Sequence, residues 1–237
     1  MIPILIRVLR KPWSNMPARV QLALTLILIY LSALKQYPTF SSVYILITSL
    51  GFTIFFDLLF TFIRRRVLFL PLSAIVSGLI ITLVVDPHAL WYQIAAIGVL
   101  SMASKNFLRV GGKHIFNPAA FGLLLGISWW GVSFQPVLLL LLAGLVSVWR
   151  MRRFGSTTSF LLVYSAFSKS ALFLDPTTVF FSLVMLPEPM TSPFDLKKQI
   201  IYGAVVAACA LILSYFPIFP DVLIPALLLG NIFNFFK

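Results

Sequence analysis

The feature that most limits what this chain can fold into is a succession of apolar runs, cut only by prolines, glycines and clusters of basic residues. Such a succession leaves no polar face with which a helix or strand would meet water. Composition sharpens the point: 60% of the 237 residues are hydrophobic, 10% are charged, and mean hydropathy is +1.03. A soluble domain carries about 25% charged residues. The sequence therefore predicts an all-α polytopic membrane protein and excludes soluble enzyme folds.

Breaking the runs at charge clusters and Pro/Gly turns predicts about ten transmembrane helices: Val20 to Leu34, Val43 to Ile63, Leu72 to Val85, Leu90 to Ser104, Pro118 to Trp130, Val137 to Trp149, Thr158 to Leu172, Thr177 to Leu186, Gln199 to Phe216 and Val222 to Phe236. Residues 1–19 read as a retained cytoplasmic tail, because their apolar stretch is too short for a signal peptide and no small-residue cleavage site follows. Residues 20–237 form a single membrane domain. With the N-terminus inside, all 18 Lys and Arg except Lys35 and Lys169 fall on one side. That bias predicts an even helix count and both termini in the cytoplasm. Topology thus accounts for the net charge of +12. No basic helix face appears, so the lipid bilayer and not nucleic acid is the expected partner. Trp91, Trp129 and Trp130 fall at outer segment ends, as interfacial aromatics do.

Pro118 to Trp130 and Thr177 to Leu186 reach only about 20 Å and 15 Å as helices, against a hydrocarbon core of about 30 Å, so they begin or end within the membrane. Proline-broken segments in corresponding places point to inverted repeats around a midplane site. The halves do correspond. SAIVSGLIITLVVDP (73 to 87) and FNPAAFGLLLG (116 to 126) parallel TTVFFSLVMLPEP (177 to 189) and LIPALLLGN (223 to 231). Repeat one covers about 20–130 and repeat two about 137–236, each with five helices.

Two broken elements face the cytoplasm, HIFNPAAFG (114 to 122) and MLPEPMTSP (185 to 193), and they are expected to converge. Asn117 before Pro118 is an N-cap and N1 pair, whose free N–H groups suit a carbonyl-rich or anionic ligand. Glu188, between Pro187 and Pro189, and the loosened backbone around it can accept hydrogen bonds, with Thr191 and Ser192 adding donors and acceptors. A plainer reading stays open, in which Asn117 only caps its helix and Glu188 pairs with Lys113, Lys197 or Lys198. Asp86 and Asp221 form the corresponding outer pair, either an ion entrance or ordinary loop carboxylates. Asp57, inside the second segment, is costly there unless paired or hydrated. It either passes a cation or pairs with the arginine triplet Arg64-Arg65-Arg66 or with Lys105. No catalytic or metal-ligating constellation occurs: Cys209 is alone, His88 and His114 lack zinc or haem spacing, and Gly111-Gly112-Lys113 reads as a turn before the helix.

The runs SAIVSGLIITLVV, SKNFLRVGGKHIFNPAAFG, MLPEPMTSP and PDVLIPALLLGN, in that order between about Leu50 and Phe236, resemble the RnfD and NqrB family of membrane proteins. The resemblance implies a urea-transporter-like fold and a subunit of an ion-translocating, flavin-dependent electron-transport complex, not an enzyme alone. It implies riboflavin or FMN held non-covalently at Asn117 and Glu188 within the elements that also carry Pro118, Gly122, Thr191 and Ser192. Other membrane electron-transfer subunits, or a cytoplasmic flavoprotein or iron–sulfur reductase, are the implied partners. The family has Asp where Glu188 stands. Its covalent FMN sits on a threonine of a long external loop, whereas here that loop is Gly131 to Pro136 and has no threonine. Covalent FMN is therefore not expected. A small-solute or flavin transporter on the same fold is the alternative.

Overall fold

The computed structural model describes residues 16–36, 40–67, 69–86, 88–124, 137–168, 175–216 and 221–236. Trp129, Trp130, the loop 131 to 136, Pro87, Lys169 and the tail up to residue 15 lie outside the described residues. Among those described, the chain is mostly helical: α1 Ala18–Gln36, α2 Phe40–Arg65, α3 Leu72–Val84, α4 Trp91–Phe107, α5 Pro118–Leu123, α6 Val137–Met151, α7 Phe154–Phe167, α8 Pro176–Met185, α9 Leu196–Leu213 and α10 Leu223–Phe236. Each predicted segment has its helix. The starts and ends that fall among the described residues move by a few residues, as in α7, which begins at Phe154 and not Thr158, while the predicted ends at Trp130 and Leu172 lie outside the described residues.

Local chemistry sets several of these ends. Asp175 accepts hydrogen bonds from the Thr177 and Thr178 amides at the start of α8, with Pro176 at the first helical position. Asp195 accepts from the Lys198 amide at the start of α9. Such caps satisfy backbone donors that have no partner within the helix. Between α4 and α5 the chain makes a hairpin, β1 Arg109–Val110 against β2 Lys113–His114. Its two turn residues, Gly111 and Gly112, have φ of 58° and 82°. That left-handed pair is the two-residue turn that glycines permit at low cost.

Packing is pairwise and regular. α1 lies on α3, α2 on both α3 and α4, and α4 on α5; α6 lies on α8, α7 on α9, and α9 on α10. α1 also meets α6, and α5 meets α10. Close approach depends on glycine at a few contacts. A Cβ on Gly203 of α9 would run into the Ser156 carbonyl and the Phe160 amide of α7. One on Gly122 of α5 would strike Ile97 and Ser101 of α4.

The faces of α2 are inverted relative to a soluble helix. It buries Ile45, Ser49, Thr53, Asp57 and Thr61, a largely polar stripe at every fourth residue, and turns Ile47, Phe55, Phe62 and Ile63 outward. Asp57 is 0% exposed while Ile47 is 66% exposed. α2 and α9 are each long and apolar enough to cross a membrane.

Candidate functional site

The two proline-broken elements converge where α6 and α8 finish and α5 and α9 begin. Asn117 does what its place before Pro118 predicts: its Oδ1 accepts from the Ala120 amide at 3.1 Å. Its Nδ2 donates to the Met185 carbonyl at the end of α8, 3.2 Å away, and so ties α5 to α8. Both ends of the amide are used inside the protein, which makes Asn117 a positioning group. Gly122 faces α4, as described above.

The last turn of α8, Phe181–Met185, is a π-helix. The Leu186 amide reaches back to the Phe181 carbonyl at 2.9 Å, and the Thr157 hydroxyl of α7 donates to the Ser182 carbonyl at 2.9 Å. Widened turns of this kind recur at functional sites. After Pro187 the chain closes one tight turn. The Thr191 and Ser192 amides and the Ser192 hydroxyl all donate to the Glu188 carbonyl, the last at 2.7 Å. The backbone expected to be open to a ligand at Glu188 is thus satisfied internally. Its carboxylate is half-buried and accepts from the Thr191 hydroxyl at 3.2 Å.

The partner of that carboxylate is His114, not a lysine. His114 Nε2 lies 3.7 Å from Glu188, and Nδ1 is 2.8 Å from the Phe116 carbonyl. A carbonyl only accepts, so Nδ1 carries the proton in that bond and Nε2 is left facing the carboxylate. Burial pushes the Glu188 carboxyl above the usual carboxylate range, and His114 and Thr191 pull it partly back. The hairpin delivers His114 to this place, because the Gly111-Gly112 turn folds β2 onto β1 with His114 opposite Arg109.

Arg153 is the residue that sequence reasoning passed over. It is 3% exposed, it makes no ion pair among the described residues, and burial holds its guanidinium below its ordinary value. Nε donates to the Ser192 hydroxyl at 2.9 Å and the group stacks 4.8 Å from the Phe194 ring centre. Nη1 is buried without a partner among the described residues. The end of α6 puts it there. The Arg153 amide donates to the Val148 carbonyl and the Arg152 amide to the Trp149 carbonyl, with Arg152 at a φ of 55°. This is a Schellman ending with arginine in the left-handed position usually held by glycine.

Two cavities open here. One, of about 50 Å³, lies among Arg19, Ser77, Asn117, Pro118, Glu188 and Pro189. The other, of about 310 Å³, is lined by His114, Arg153, Thr191, Ser192, Asn231 and Asn234. Asn234 Nδ2 donates to the Thr191 carbonyl at 2.8 Å, and Asn231 accepts from the Tyr202 hydroxyl at 2.7 Å while its own Nδ2 has no partner among the described residues. The larger cavity falls in the size range of cofactor sites, and its walls hold two buried donors in need of acceptors.

The remaining acids lie elsewhere. Asp57 pairs with Lys105 across α2 and α4, Nζ to Oδ2 at 2.6 Å, and its other oxygen accepts from Asn106 Nδ2 at 3.1 Å. Of the partners predicted for it, Lys105 is the one found. Asp86 accepts from the His88 amide at 2.7 Å and Asp221 from the Leu223 amide at 2.9 Å, both as loop carboxylates stabilising turns.

No family model and no curated protein matches the chain. The likeness to RnfD and NqrB therefore rests on the motifs quoted above.

Proposed function

We propose that the chain is a polytopic membrane protein of two inverted five-helix repeats and that it serves as a flavin-holding subunit of an ion-translocating electron-transport complex. The inverted faces of α2 support the membrane reading. Polar groups that pair with other helices lie inward and large apolar side chains lie outward, as lipid requires. At 1.5 Å per residue α2 is about 39 Å long, enough to span the hydrocarbon core with tilt. The matching of α1 on α3 with α6 on α8, of α2 on α4 with α7 on α9, and of α4 on α5 with α9 on α10 supports the repeat. The meeting of α1 with α6 and of α5 with α10 is what a two-fold axis between the halves would produce.

The observation that carries the flavin reading is the uncompensated Arg153 beside Ser192 in the larger cavity. The pyrimidine edge of a flavin presents two carbonyl oxygens and ring nitrogens, including an N–H. Arg153 and Asn231 bring donors for the oxygens, and the Thr191 hydroxyl, which donates to Glu188 in the adjoining smaller cavity, can accept from the N–H. The residues present therefore fit the group. When bound, the flavin supplies reversible electron transfer. Arg153 would hold a fixed positive charge beside the ring, and Thr191, positioned by its bond to Glu188, would line the ring's edge. Asn117 keeps α5 and α8 in register around the site. Replacing Arg153 and Glu188 with Gln is expected to abolish flavin retention in the purified chain, and unchanged flavin content would refute the assignment.

A second reading is a small-solute or flavin transporter, favoured by the π turn that breaks α8 between facing helices. Flux through reconstituted liposomes, without a bound chromophore that reductant bleaches, would select it.

A further inference from the structure

A third cavity, of about 330 Å³, lies between the end of α2, the start of α1 and the hairpin, and its lining is strongly basic. Arg19, Arg64, Arg65, Lys105 and Arg109 line it. All six Asp and Glu residues of the chain are among the described residues, and none forms an ion pair with an arginine of this cavity. Asp57 is paired with Lys105, and Glu188 lies nearest His114 and faces Arg19 only across the smaller cavity. Asp86, Asp175, Asp195 and Asp221 each accept a backbone amide in their own turn or helix start. Four arginines therefore share one cavity with no ion-pair partner among the described residues.

Main-chain carbonyls hold the guanidinium groups in place without neutralising them. Arg64 Nη1 donates to the Asn106 carbonyl at 3.2 Å, Arg109 Nη1 donates to the Lys105 carbonyl at 3.2 Å, and Arg109 also reaches the Gly112 carbonyl. Arg64 Nε is buried with no partner among the described residues. Burial, with the charges of Arg64 and Arg65 added to it, holds the Arg109 guanidinium below its ordinary value. The wall between them is polar and more than nine-tenths buried: Thr61, Asn106 and His114. Topological sorting of basic residues requires only that they lie on one side. It does not require a shared cavity with a buried polar wall and an orphaned donor.

We propose that this cavity is a binding site for the phosphate of an anionic ligand, with Arg64 and Arg109 as its fixed contacts and Arg19 and Arg65 at its rim. Guanidinium forks match phosphate oxygens in charge and geometry, and several converging on one cavity favour a phosphomonoester over a carboxylate. The volume is at the small end of ligand sites, enough for a phosphate with a small polar substituent. Two sources carry that chemistry, the headgroup of an acidic phospholipid and a soluble phosphate ester. The proposal is independent of the flavin reading, since neither Arg64 nor Arg109 lines the flavin cavity.

The test is calorimetric titration of the purified full chain in maltoside micelles with sn-glycerol 3-phosphate, dihexanoyl phosphatidic acid and dihexanoyl phosphatidylcholine. Saturable binding of a phosphomonoester is expected. It should weaken at least about tenfold in R64Q/R109Q, the loss of charge-assisted contacts, and stay within about twofold in K197Q. Comparable binding of both monoesters identifies a soluble ligand, and binding of the phosphatidic acid alone identifies a lipid. Should R64Q/R109Q fail to fold, R19Q alters an exposed rim residue only and is expected to weaken binding by about threefold. The proposal is overturned if neither monoester saturates the wild type, if phosphatidylcholine binds as tightly, or if the cavity variants bind as K197Q does.

Discussion

Replacing Asp57 with Asn is expected to be among the most damaging single changes to this fold. The carboxylate is 0% exposed, the Lys105 side chain is 10% exposed, and Nζ and Oδ2 are 2.6 Å apart. Breaking a buried pair from one side leaves an uncompensated charge and costs about 3–5 kcal/mol. Asn keeps a carbonyl that Lys105 can still reach, so the lower end, about 3 kcal/mol, applies. For a chain of this size that corresponds to a fall in Tm of roughly 6–12 °C. Adding Lys105→Met removes the stranded ammonium at similar volume, and the double variant should return to within about 1 kcal/mol of the wild type. Thermal unfolding in mild detergent, followed by intrinsic fluorescence, measures both. A single variant within about 1 kcal/mol of wild type, or a double variant showing the sum of the two single losses, would refute the reasoning.

Gly203→Ala should lose about 1–3 kcal/mol, because the added methyl meets backbone atoms of α7 that cannot yield cheaply, and the same unfolding assay reads it. Arg152→Gly should gain up to about 1 kcal/mol by relieving the left-handed backbone at the end of α6; an unchanged or lower Tm contradicts that account. Glu188 gives a pH signature. Its carboxyl is raised in the folded state, so its contribution is fully present below the unfolded value of about 4.3 and is lost as pH rises through the higher folded value. Tm should therefore decline over that window, and Glu188→Gln should flatten the decline; identical pH profiles would show that Glu188 is not its source.

Much of the fold is legible in the sequence because apolar runs and prolines leave few choices. Asn117 before Pro118 states a cap in two residues, and the cap is there. Ser49, Thr53, Asp57 and Thr61 at intervals of four also state which face of α2 looks inward, a signal present in the sequence but not used. The Asn231 and Asn234 pair in an otherwise apolar segment is a similar unread signal. What the sequence withholds is pairing across distance. Asp57 had several basic candidates, and only the crossing of α2 with α4 selects Lys105. Glu188 pairs with His114 because the hairpin bends back, which a Gly-Gly turn permits but does not announce. Arg153 lies in a basic cluster with Arg150 and Arg152 that reads as topology alone, and the Schellman ending of α6 is what separates it from them.

The central claim is that this chain holds a non-covalent flavin beside Arg153 and Glu188. The most direct measurement is flavin content: purify the full chain in mild detergent from cells supplied with riboflavin, precipitate it with acid, and assay the supernatant and the pellet for flavin fluorescence. The account predicts about one flavin per chain, released to the supernatant, as a single cofactor-sized site implies. Monodisperse protein with no flavin in either fraction, or flavin that stays with the pellet, would contradict it.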